Sequence, residues 1–180
     1  MTEDEVGTLI QSWENITVLV RYIANYPEHL DIIMTKVLDD SQPENWRAAW
    51  MVDKIHEQHQ ELVYPYLQTM TDFVLRTQNT GKKRHLLKLI SLNNIQEENI
   101  APLLNFCIEV FTNAAEPIAV RVHAMQILFN IAQKEPDFSG ELTELIEHEM
   151  EYHGSAGLAS RGKKLLKELD KNKSRQIDSN

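Results

Sequence analysis

The sequence is poor in the residues that break helices and staple small folds. It has 6 glycines and 6 prolines in 180 residues, one cysteine, and only 7% aromatic side chains. So few turn formers and aromatics argue against a β-barrel or sandwich, a collagen-like chain and low-complexity sequence. A lone Cys107 excludes an internal disulfide. No apolar run reaches the ~18 residues that a membrane-spanning helix needs. The chain opens Met1-Thr2-Glu3-Asp4-Glu5, acidic where a secretory signal is basic and then apolar. The expectation is a cytoplasmic protein without a membrane partner.

Charge is unevenly spread. The chain has 18 basic and 27 acidic side chains, a formal net charge of −9. Residues 1–160 carry a net −13, and residues 161–180 carry +4. An acidic body repels phosphate backbones, which disfavours nucleic acid as a partner.

What is present is apolar spacing of helical period along nearly the whole chain. Ile16, Leu19, Val20 and Ile23 form one stripe, closed by Pro27. Leu30, Ile33, Met34, Val37 and Leu38 form the next, and Trp46, Ala49, Trp50 and Ile55 follow after Pro43. A helix is expected from Leu62 to Leu75, with Thr80-Gly81 as punctuation before Leu86, Leu87, Leu89 and Ile90. Pro102 is expected to open the helix of Leu103, Cys107 and Phe111, and Pro117 the helix of Val120, Ala124, Ile127 and Leu128. Two more stripes follow, at Leu142–Met150 and Leu158–Leu169. No period-2 strand emerges. Residues 1–170 read as one helical domain and 171–180 as a disordered tail.

The helices fall into pairs with an internal repeat. Arg47, Arg84, Arg121 and Arg161 lie 37, 37 and 40 residues apart, each near the start of the second helix of a pair. Three residues on stand Trp50, Leu87, Ala124 and Lys164. The clearest unit runs Glu116-Pro117-Ile118-Ala119-Val120-Arg121-Val122-His123-Ala124.

In these residues the chain resembles the HEAT repeats of the armadillo-like superhelix class, over about residues 28–170. A leading degenerate pair occupies 3–25. Pro117, Val120, Arg121 and Ala124 carry the resemblance best. Pro43, Arg47 and Trp50 carry it in part, Arg84 through position, and Arg161 least. It implies an all-α, right-handed α-α superhelix of about four to five helical pairs, each stacking its apolar face on the next. It also implies a non-catalytic scaffold or adaptor that takes a protein or peptide on a concave face. Parts of the helices starting near 43, 82, 117 and 155 would line that face. The arginine column has a structural reading, as bonds to a neighbouring repeat, and a ligand-contact reading. Trp50 and Ala124 are read with the arginines as repeat positions.

The candidate partner-binding residues are Trp46, Lys82, Lys83, Arg84 and Arg161. Lys82-Lys83-Arg84-His85 with Lys88 is the only internal basic cluster, and it opens a helix, where positive charge opposes the helix dipole. It reads either as a solvated turn or as a docking point for an acidic partner. Trp46 is the hot-spot candidate if exposed.

No enzyme signature stands out. His56 and His59 sit at i, i+3 and lack the Glu placement of a His-Glu-x-x-His zinc motif. Cys107 reads as a buried hydrophobe. Gly157 to Gly162-Lys163 resembles a phosphate loop, yet Lys164 follows where Ser or Thr would hold magnesium, and the segment reads as helix. Glu141, Glu144, Glu147, Glu149 and Glu151 read as a solvated face. Neither a metal nor another cofactor is expected. HEAT-like DNA glycosylases share the implied fold, and Trp46, Arg47, Trp50 and Asp53 are the raw material for such a site. The acidic body opposes that alternative. Some short chains of this kind carry the name adenylosuccinate lyase, but nothing here matches that superfamily's signature loop beyond Gly154-Ser155.

Overall fold

The computed structural model describes residues 2–177, and all regular structure among them is helical. Eleven α-helices occur: α1 (Glu3–Ile10), α2 (Ile16–Asn25), α3 (Leu30–Val37), α4 (Trp46–Gln58), α5 (Gln60–Val63), α6 (Leu67–Val74), α7 (Thr80–Ser91), α8 (Glu97–Thr112), α9 (Ile118–Ala132), α10 (Ser139–Tyr152) and α11 (Ala156–Ile177). Side-chain caps fix several starts. Thr2 and Glu5 form a reciprocal capping box on α1, with bonds of 3.3 and 2.7 Å. Asn79 Oδ1 accepts from the Lys82 N–H at 3.1 Å to open α7. Ser155 Oγ accepts from the Leu158 N–H at 3.3 Å to open α11.

Contacts divide the chain into two compact units, Met1–Leu92 and Asn93–Asn180. In the first unit α4 is central and packs against α2, α3 and α7, while α6 packs against α7. Leu19, Ile23, Ile33, Val37, Ala49, Val52, Ile55, Leu86 and Leu87 are fully buried there. In the second unit α8 and α9 form a tightly packed hairpin, and α10 and α11 close on α9. Its core contains Cys107, Phe111, Ala124, Ile127, Leu128, Ile131 and Ile146.

Three boundaries differ from the sequence expectation. The helix expected from Leu62 to Leu75 is broken by a 3-10 turn at Tyr64–Tyr66, where Pro65 withholds a backbone donor. α8 begins at Glu97 and carries Pro102 inside rather than at its start. Glu97 and Glu98 in its first turn favour that earlier start through the helix dipole. α11 continues through 171–177 of the segment read as a tail, and 178–180 lie outside the described residues.

Candidate functional site

Three consecutive side chains at the start of α7 go to different places. Lys82 is fully buried. Its ammonium donates to the Asp39 carbonyl at 2.6 Å and to Asp40 Oδ1 at 3.0 Å, and lies 5.1 Å from the Phe73 ring centre. Lys83 is buried as well, while Arg84 is exposed. The basic cluster is therefore not one surface patch. The register of α7 turns 82, 83, 86 and 87 inward and leaves Arg84 on the solvent side.

α4 and α7 run in the same direction, side by side. Asn79 Nδ2 donates to the Pro43 carbonyl at 3.0 Å, near the start of both helices. One turn further, the Trp46 and His85 rings stack with centroids 6.4 Å apart and planes at 8°. Gly81 makes this approach possible: a Cβ there would lie 2.8 Å from Trp46 Cβ. Beyond the stack lies Asp53, only 2% exposed. His85 Nδ1 meets its Oδ2 at 3.1 Å, and Lys88 Nζ meets its Oδ1 at 2.7 Å. Lys88 also reaches Glu57 at 3.0 Å, and Glu57 pairs with Lys54 at 2.7 Å.

This chain of charges clamps α4 to α7. Burial pushes the Asp53 carboxyl upward, but hydrogen bonds from His85 and Lys88, with their charges, hold it below the usual carboxylate range. Bonds from Lys54 outweigh burial at Glu57 and lower it too. Burial opposes the charge on Lys88, and its bonds to Asp53 and Glu57 overcome that and raise it.

Outside the clamp, α4 shows a solvent stripe of Arg47, Trp50, Lys54 and Gln58, at helical spacing. The Arg47 guanidinium lies 5.4 Å from the Trp46 ring centre, and its Nε is buried without a hydrogen-bond partner. Trp46 and Trp50 are half-buried. α7 contributes Arg84 and Lys88.

The other repeat arginines lie in the second unit. Arg121 is 2% exposed. Its Nε donates to the Phe111 carbonyl at 2.8 Å and its Nη2 to Glu149 Oε2 at 2.7 Å. It thereby joins the end of α8 and the start of α9 to α10. Glu149, read from the sequence as part of a solvated face, is instead 3% exposed, because its partner Arg121 on α9 draws it inward. His148 Nδ1 and His153 Nδ1 flank the same carboxylate at 3.3 and 3.1 Å. Arg161 Nη1 donates to Gln126 Oε1 at 3.1 Å from α11 to α9.

Gly157 to Lys163 lies inside α11, so no phosphate-cradling loop forms there. Cys107 is buried, and burial pushes its thiol up, away from nucleophilic character. Among the described residues no group of three His, Cys, Asp or Glu side chains is placed to hold a metal ion. No described helix is long and apolar enough to cross a membrane. Sequence reasoning missed the Asp53–His85–Lys88–Glu57 clamp and the Arg121–Glu149 pair. Asp53/Glu57 and His85/Lys88 each sit one turn apart on their helices, which marks them as local pairs. Their meeting across about thirty residues has no local signal.

Paired helices whose second members carry a recurrent arginine define a helical-repeat protein. A family model for the HEAT repeat domain matches residues 8–169, and the chain belongs to that family. No curated protein and no solved structure matches it.

Proposed function

We propose that the chain is a non-catalytic HEAT repeat adaptor that binds a protein or peptide partner on the face formed by α4 and α7. One observation carries this reading: on the packed helices α4 and α7, Arg84 is exposed and Arg47 and Trp50 are partly exposed, while the neighbouring Lys54 and Lys88 are tied into ion pairs. Half-exposed tryptophan beside arginine is the composition of interface hot spots. On this reading the protein works in the cytoplasm and the partner lies on a concave face.

The same geometry works against base excision. Asp53, the carboxylate such chemistry would use, is buried and held by His85 and the Lys88 ammonium. Purified protein is expected neither to release alkylated bases nor to cleave adenylosuccinate, and detectable turnover of either would overturn the reading. Its positive test is co-purification from the native source with Trp50→Ala and Arg84→Glu. Arg84→Glu should melt like wild type, Trp50→Ala should stay folded at a lower melting temperature, and both should lose the same protein band. A band retained by both would move the partner surface elsewhere.

A further inference from the structure

Of the nine cations of the first unit, some are held by carboxylates and some are not. Lys54, Lys82 and Lys88 are each within 3.0 Å of a carboxylate. Among the described residues no carboxylate pairs with Arg21, Arg47 or Arg84, nor with Lys36 on α3 or Arg76 beyond the end of α6, and only the first three lie on α2, α4 and α7. Those helices pack in that order. Arg21 and Arg84 are exposed, and Arg47 keeps a buried Nε–H with no acceptor. The unit around them is acidic, with 9 basic against 13 acidic side chains in residues 1–92. Arginines without a carboxylate partner, on three packed helices of an acidic unit, are a selective mark: a negatively charged partner is repelled from most of the unit's surface and accepted here.

We infer that this row takes an acidic, extended peptide segment of a partner protein, lying across α7, α4 and α2. The inference rests on the reading of the α4–α7 face as a partner surface. Its geometry is specific. Packed helix axes lie about 8–10 Å apart. A polyproline-type strand has three residues per turn and ~3.1 Å rise, so every third side chain faces the same way at intervals of about 9 Å. Carboxylates at positions i, i+3 and i+6 would therefore meet Arg84, Arg47 and Arg21 in turn, each as a charge-assisted pair that guanidinium can make bidentate. Trp50 offers a flat apolar contact between them. Three separated cations beside the Glu57 carboxylate suit such a segment better than a continuous phosphate backbone.

The test starts with the full chain and an unbiased random-peptide display library, followed by fluorescence anisotropy on a Glu-x-x-Glu-x-x-Glu peptide. The selected pool should be acidic with a three-residue spacing. Arg84→Gln, Arg47→Gln and Arg21→Gln should each weaken binding about tenfold with unchanged helical melting. Arg84→Lys should bind less tightly than wild type but more tightly than Arg84→Gln, and Arg76→Gln, beyond the end of α6, should change nothing. If Arg47→Gln disturbs the fold, the exposed Arg21 and Arg84 variants carry the comparison. An equal loss with Arg76→Gln, or tighter binding of a single-stranded DNA of matched charge, overturns the inference. Selection of non-acidic peptides that still need Trp50 overturns the acidic partner and leaves the face intact. An empty selection, or peptides indifferent to Trp50, Arg47 and Arg84, overturns both.

Discussion

The guanidinium of Arg121 and the carboxylate of Glu149 meet at 2.7 Å, both at least 97% buried, and tie α9 to α10. Breaking a buried pair leaves one charge uncompensated, at a cost of about 3–5 kcal/mol. Arg121→Met should therefore strip most of the second unit's stability in urea unfolding. Adding Glu149→Leu should restore a large part, because no carboxylate is then stranded. Equal stability of Arg121→Met and wild type would show that the pair contributes nothing.

Lys82 and Arg84 should respond unequally to the same change. Lys82→Gln removes a buried donor from the Asp39 carbonyl and Asp40, with an expected loss of about 1–3 kcal/mol. Arg84→Gln should stay within ~0.5 kcal/mol of wild type, as exposed substitutions do. Chemical denaturation of the two variants side by side checks this.

Gly81→Ala should be costly although Ala is the better helix former. Its Cβ would lie 2.8 Å from Trp46 Cβ and 2.9 Å from Cγ, so the indole must shift off His85. The expected cost is about 1–3 kcal/mol for overpacking, with a change in tryptophan fluorescence. A stabilised variant with unchanged emission would contradict the packing of α4 on α7.

Stability should depend on acid through the α4–α7 clamp. The folded carboxyls of Asp53 and Glu57 are lowered below their unfolded values. A lowered group contributes stability above its unfolded value, about 4 for these residues, and loses it as pH falls through the folded value. Melting temperature should thus decline as pH is taken below about 4. In Asp53→Asn that decline should be shallower, from a lower starting stability. A variant with the wild-type acid slope would remove Asp53 from the cause.

Much of this was legible in the sequence. The stripes at Ile16–Ile23, Leu30–Leu38 and Pro117–Leu128 are helices α2, α3 and α9, and the arginine register located the second helix of each pair. Local spacing could not sort the basic cluster. Whether Lys82 or Arg84 faces inward depends on where Asp39, Asp40 and Phe73 lie, about ten to forty residues away. Glu149 hid among exposed neighbours for the same reason, since its partner is on another helix. Pro102 misled because a proline near a helix start looks like the start itself.

The central claim is that the α4–α7 face is where a partner binds, and site-specific photocrosslinking in the native source tests it most directly. A benzophenone side chain placed at Gln58, exposed on α4, should give a discrete protein adduct that Trp50→Ala abolishes. The same group at Glu109, exposed on α8, should give none. An adduct from Glu109 alone, or equal adducts from both positions that survive Trp50→Ala, would contradict the account.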